Sequence, residues 1–115
     1  MRISVFIGDG PSGKGVNGLV DAAITAEQLG FDGIWYPQMN NVDVLTVIGL
    51  ASNNTSKIQI GTAVIPIFTR HPLVMAQQAM TVQLAANGRL ALGLGLSHKK
   101  TMQDSFGLKY ENLAQ

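Results

Sequence analysis

The sequence predicts an α/β chain of about four βα units, the N-terminal part of a (β/α)8 TIM barrel and incomplete as one. Three observations carry this. Short apolar runs begin near positions 3, 33, 57 and 89, and the first three are closed by Gly or Pro. Stretches with helical spacing fill the intervals, and that alternation argues for a parallel sheet with right-handed crossovers. At 115 residues the chain can hold one modest core, whereas a closed barrel takes about 250 residues.

Each element has its own reason. Ile3 to Ile7 is a short apolar strand ended by Gly8-Asp-Gly-Pro11. Val16 to Leu29 carries helical spacing at Leu19, Ala22, Ala23 and Ala26, and Gly30 is a natural stop. Ile34-Trp-Tyr36 is the second strand, closed by Pro37. Val42 to Ser52 forms a second helix through Val44, Leu45, Ile48 and Leu50. Lys57 to Ile65 is the third strand, rich in β-branched residues and ended by Pro66, which cannot donate to a ladder. Pro72 suits the first turn of a third helix running to Ala86, expected to pack through Leu73, Ala76, Met80 and Leu84 and to stop at Asn87-Gly88. Arg89 to Leu96 is the fourth strand. A doubly wound sheet of this length would need a helix over that last strand. The stretch Thr101 to Gln115 is too weakly patterned to supply one, so the chain is expected to be the N-terminal portion of a single barrel domain, residues 1–115, stopping mid-fold.

Composition narrows the function. The chain is 46% apolar and 13% charged with a net charge of +1, which gives no reason to expect nucleic acid or a membrane surface as partner. Without cysteine there is no disulfide, thiolate metal site or cysteine nucleophile. No run of 18 apolar residues occurs, and a cytoplasmic protein is expected. No His/Asp/Glu spacing supports a metal site.

Two glycine motifs invite a nucleotide reading. Gly8 to Gly15 follows a strand and matches GxxxxGK, but position 15 is Gly where magnesium needs Ser or Thr, and Pro11 removes an amide from the loop. A small α/β nucleotide-binding domain using this loop is kept as an alternative function. Gly93-Leu-Gly95 ends the fourth strand, but His98 breaks GxGxxG, so these glycines serve close packing inside a barrel or against a ligand.

Site candidates lie at the C-terminal ends of the strands, where α/β proteins bind ligands. Small residues at Gly61, Thr62 and Ala63 leave room there for something flat. Gln38 could hydrogen-bond a heterocycle's edge, with a turn amide as the rival reading. His71 either contributes to a site or caps the helix begun by Pro72; His98 is an active-site acid, base or cofactor contact, or a solvated loop histidine. Arg70 could meet a phosphate or carboxylate but reads first as an exposed loop arginine, and Asp32 and Asp43 read as turn and helix-start residues. Trp35 reads as core.

Four segments occur in order: Ala26-Glu-Gln-Leu-Gly-Phe-Asp-Gly-Ile-Trp-Tyr-Pro-Gln38, Ile60-Gly-Thr-Ala-Val-Ile-Pro66, Thr69-Arg-His-Pro-Leu-Val-Met-Ala-Gln-Gln78 and Gly88-Arg-Leu-Ala-Leu-Gly-Leu-Gly-Leu-Ser-His98. Together they resemble the N-terminal part of the luciferase-like monooxygenase superfamily, in particular its oxidoreductases dependent on the deazaflavin coenzyme F420. FMN-dependent relatives share the same barrel. The resemblance implies a cofactor, F420 or alternatively FMN, at the strands' C-terminal ends, and hydride transfer to or from a small organic substrate. It implies a bulge with a non-prolyl cis peptide at Ala63-Val64, behind the ring. Gln38 takes the place of a ring-contacting residue, often Asp in relatives, and Met39 stands where some relatives carry a catalytic His. His98, after Ser97 on the cofactor side, stands where some carry an acidic proton-handling residue. A homo-oligomer is expected of the full-length protein, while this stretch alone is expected to be inactive.

Overall fold

A computed structural model describes residues 1–7, 15–39, 41–96 and 104. Four strands form one parallel sheet in the order β1 (Ser4–Phe6), β2 (Gly33–Tyr36), β3 (Gln59–Thr62) and β5 (Leu90–Ala91). A second, two-stranded parallel sheet pairs β4 (Ile65–Pro66) with β6 (Leu94–Gly95). The helices are α1 (Gly15–Gln28), α2 (Val44–Asn53) and α3 (Pro72–Ala85), and a single 3-10 turn, Ile67–Thr69, leads into the last.

Sequential strand order separates the two α/β architectures. A doubly wound sheet reverses its order at a switch point and places helices on both faces. Here the order never reverses, and α1 packs on α2 and α2 on α3, so the helices share one face. That is the arrangement of consecutive units in a (β/α)8 barrel.

The core lies between that face and the helices. Ile34, Tyr36, Ile58, Ile60 and Ile65 from the strands meet Leu19, Ala23, Ala26, Val44, Leu45, Ile48 and Ala51 from α1 and α2, all buried. Parallel register puts Phe6, Trp35, Gly61 and Ala91 in one row on the opposite face. A Cβ on Gly61 would run into the Trp35 ring, so the missing side chain is what lets the indole lie across β3. Trp35 is therefore half-buried on the open face and outside the helix-side core.

Helix ends follow their residues. Gly30, at φ +86°, lets the Phe31 amide turn back to the Ala26 carbonyl, and Asn87 and Gly88 do the same for α3, where the Gly88 amide reaches Gln83. Asp43 caps α2 by accepting from the Thr46 amide and hydroxyl, as a helix-start residue should. At the other end of the sheet the Arg89 guanidinium donates to carbonyls of Ser52, Thr55, Ile58 and Ala86 and to the Thr55 hydroxyl.

Three expectations need correcting. The third strand does not run unbroken to Ile65 and end at Pro66: it is interrupted after Thr62 and resumes as β4, with Pro66 paired to Gly95. The fourth strand is likewise split into β5 and β6. The packing face of α3 was misplaced. Met75, Val82 and Ala86 are buried, whereas Leu73, Met80 and Leu84 are 62%, 66% and 78% exposed, Ala76 is exposed, and Leu50 of α2 also points outward. Residues 72–85 contain no charged side chain, so α3 is apolar on more than one face and spacing alone could not choose between them.

Candidate functional site

Both strand interruptions lie at the C-terminal ends, and they hold each other in place. The Ala63-Val64 peptide is cis, at the position the bulge was expected. The Thr62 hydroxyl donates to the Gly93 carbonyl and accepts from the Gly93 amide, each at 2.8 Å, while the Ile65 amide donates to the same carbonyl at 3.0 Å. The Ala63 amide reaches back to the Tyr36 carbonyl at 2.8 Å. The glycines fit this contact closely. A Cβ on Gly93 would run into the Thr62 carbonyl oxygen, and one on Gly95 would lie 2.5 Å from Val64 Cγ2. Gly93-Leu-Gly95 thus serves close packing inside the barrel, one of the two uses its sequence allowed. The result is an apolar corner where Val64 stays 41% exposed.

Beside it, the β2–α2 loop is organised by side chains. Gln38 Nε2 donates to the carbonyls of Met39 (2.9 Å) and Val42 (3.2 Å), and its Oε1 accepts from the Val44 amide at 3.1 Å. The turn-amide reading of Gln38 therefore describes its side chain, and both ends of the amide already have partners. Its backbone amide points to the Val64 carbonyl at 3.4 Å.

Arg70 is not the exposed loop residue its sequence context implied: its side chain is 12% exposed. It forms an ion pair with Asp43 and donates to Gln38 Oε1 (3.3 Å) and to Gln78 Oε1 of α3 (2.8 Å). Burial alone would raise the Asp43 carboxyl, but hydrogen bonds from Thr46 and the adjacent guanidinium outweigh it and hold the group below its usual 3.8. An open cleft of about 450 Å³ lies over this cluster, lined by Gln38, Asp43, Thr69, Arg70, His71 and Gln78 among others. His71 Nδ1 accepts from the Leu73 amide, so this imidazole caps α3.

The structure therefore brings Gln38, Ala63 and Val64 to one corner. Ser97 and His98 lie outside the described residues, as does most of the Gly8–Gly15 loop. Among the described residues no cluster of three metal-ligating side chains occurs, and no helix is long and apolar enough to cross a membrane. Sequence reasoning missed the Arg70–Asp43–Gln38–Gln78 cluster and the Thr62–Gly93 clamp, because their members lie 27 to 32 positions apart, or belong to different elements. The small Thr62 and the paired glycines were the only signals for the second.

A parallel sheet in sequential order with helices on one face is the arrangement of part of a (β/α)8 barrel, a fold whose ligands bind in the strand-to-helix loops. The luciferase-like monooxygenase family profile matches residues 1–114, and the chain belongs to that family. It is 36% identical over 86 residues to the 5,10-methylenetetrahydromethanopterin reductase of Methanopyrus kandleri, covering 74% of this chain and 24% of that protein. It superposes on the coenzyme F420 dependent tetrahydromethanopterin reductase structure from the same organism with a TM-score of 0.81 and 27% identity, over 95% of this chain and 30% of that one. The oxygenating constituent of 3,6-diketocamphane monooxygenase from Pseudomonas putida, solved with FMN, shares the fold at a TM-score of 0.84 and 16% identity, over 99% and 35%. The chain thus spans about a quarter to a third of the length of these relatives.

Proposed function

We propose that the whole protein carrying this chain is an oxidoreductase that transfers a hydride between coenzyme F420 and a small organic substrate, with an FMN-dependent monooxygenase as the alternative. One observation supports the reading above the rest. The paired strand interruptions leave Val64 as an apolar shelf on the open face, at the strands' C-terminal ends. A flat ring system needs such a surface behind it, and F420-dependent relatives share both the sequence and the fold.

The cofactor supplies the hydride chemistry when bound, and the protein supplies orientation and exclusion of water. Val64 and Ala63 would back the ring, while Gln38 and Met39 would border it. On the family resemblance, Ser97 is proposed as a cofactor contact and His98 as the group that handles the accompanying proton. The protein is proposed to assemble as a homo-oligomer, for which the outward apolar row Leu73, Met80 and Leu84 offers a surface.

The test is a titration of the whole protein with F420, FMN and ATP-magnesium, read through each isoalloxazine-type cofactor's own fluorescence and by calorimetry for ATP. Saturable binding of F420 in preference to FMN is expected. Binding of ATP alone would move the function to the Gly8–Gly15 loop. Binding of none would overturn the reading.

A further inference from the structure

We propose that Arg70 is a positioning residue for the cofactor corner, acting through Gln38. This rests on the function proposed above, but its evidence is separate. Arg70 leaves the 3-10 turn just before α3 and crosses to the preceding loop, where it is paired with Asp43 and bonded to Gln38 Oε1. On its other side it is bonded to Gln78 of α3. One guanidinium therefore joins two of the strand-to-helix loops that frame the open end of the sheet.

Gln38 carries that constraint to the corner. Its side chain joins the carbonyls of Met39 and Val42 and the first turn of α2 through Val44. Its main chain meets the Val64 carbonyl. Arg70 is thus linked to the Val64 main chain through one residue, by a hydrogen bond to the Gln38 side chain and another from the Gln38 main-chain amide. Because every polar atom of the Gln38 amide is engaged inside the protein, this residue shapes the corner and does not reach out to a ring edge. The geometry requires Arg rather than Lys. A planar fork can meet a carboxylate and two amide oxygens in different directions, whereas a single ammonium on a flexible stem cannot hold all three.

The experiment compares the whole wild-type protein with Arg70→Met, Arg70→Lys, Gln38→Leu and the Arg70→Met/Gln38→Leu double variant. Four quantities are measured: F420 affinity by fluorescence, kcat at saturating F420, thermal midpoint, and hydrogen exchange of residues 41–46 without cofactor. Arg70→Met should weaken F420 binding roughly ten-fold, a loss of about 1.4 kcal/mol. It should leave kcat at saturation within about two-fold and speed exchange in residues 41–46, since binding is uniform loss rather than loss at the transition state. Arg70→Lys should keep the wild-type midpoint yet recover only part of the affinity. The double variant should be no worse than the poorer single one, since the two residues act on one path.

Unchanged F420 affinity in Arg70→Met, with wild type binding normally, overturns the proposal and leaves the function standing. Full rescue by Arg70→Lys, or affinity that merely tracks the thermal midpoint, shows a structural ion pair and overturns it too. If wild type binds neither F420 nor FMN, the functional reading falls. The exchange measurement then still decides whether Arg70 orders the loop, and unchanged exchange overturns that part as well.

Discussion

Replacing Gly95 with alanine tests whether the β6 strand sets the position of the Val64 shelf. The new Cβ would sit 2.5 Å from Val64 Cγ2 and 3.3 Å from Val64 Cβ. Apolar carbons prefer about 3.5–4.0 Å, so something must move by roughly 1 Å. Val64 is the group able to give, because it is 41% exposed and its side chain ends in the open corner. Overpacking of this kind costs about 1–3 kcal/mol in a closed core, and the open side of Val64 should keep it near the lower end. The functional effect should be larger than the stability effect. Losing about 1.4 kcal/mol of contact between the displaced shelf and the ring is ten-fold in affinity, so F420 affinity is expected to fall about ten-fold while the thermal midpoint drops by a few degrees. Gly93→Ala is the contrasting case. Its Cβ meets the Thr62 carbonyl, a backbone atom already fixed by the strand, so the expected outcome is loss of soluble protein. Fluorescence titration beside thermal melts of the whole protein reads both. Wild-type F420 affinity in a folded Gly95→Ala protein would refute the claim that β6 sets the shelf.

Other outcomes follow from the same structure. Gly49→Ala, inside α2 with open space around the new methyl, should stabilise the protein by about 0.5–1 kcal/mol in urea unfolding. Tyr36→Phe removes a buried 2.6 Å bond from the phenol to the Leu19 carbonyl and should cost about 1–1.5 kcal/mol by the same assay. Burial holds that phenol far above its ordinary range, so no tyrosinate titration should be seen from it at alkaline pH in the folded protein. His98→Ala should lower turnover much more than F420 affinity and flatten the pH–rate profile near neutrality, and an unchanged profile would assign proton handling to another group.

What the sequence made legible were the local features. Strand and helix order, the stops at Gly30 and Asn87-Gly88 and the Asp43 cap each depend on residues adjacent in the chain, whereas the Ala63-Val64 corner was legible through the family resemblance of four separated segments. Two things were not legible. The burial face of α3 is a tertiary choice, because an uncharged helix offers apolar residues in several directions and only contact with α2 and the strands selects Met75, Val82 and Ala86. The partners of Arg70 are the other. An arginine among Thr69, His71 and Pro72 gives no local sign that it will meet Asp43 and Gln38, and only the parallel pairing of β2 with β3 brings the loops together. Gln38 was ambiguous for the same reason, since an amide after a strand suits either a ligand or its own loop.

The two ends of the sheet divide their work, and that division can be measured. At the N-terminal end, Glu27 accepts from the amides of Ser56, Lys57 and Ile58 at 2.7 to 3.2 Å. Burial would raise its carboxyl, but those three amides and nearby Arg89 outweigh burial and hold it below its ordinary 4.5. A carboxylate whose folded value is depressed adds stability that is fully present above its unfolded value. It is lost as pH falls through the lower folded one. Glu27→Gln should therefore lower stability at neutral pH and show a shallower loss below pH 4.5 than wild type. Water reaches this carboxylate, so the neutral-pH cost should be about 1–2 kcal/mol rather than the full strength of three charge-assisted bonds. F420 affinity should not change, because Glu27 braces the entry to β3 while the corner proposed for the cofactor lies at the exit. Arg70→Met should do the reverse, weakening the cofactor with a small change in the melt. If Glu27→Gln weakened F420 as much as Arg70→Met does, the corner would be held by the stability of the whole sheet, and the Arg70–Gln38 path would lose its special role.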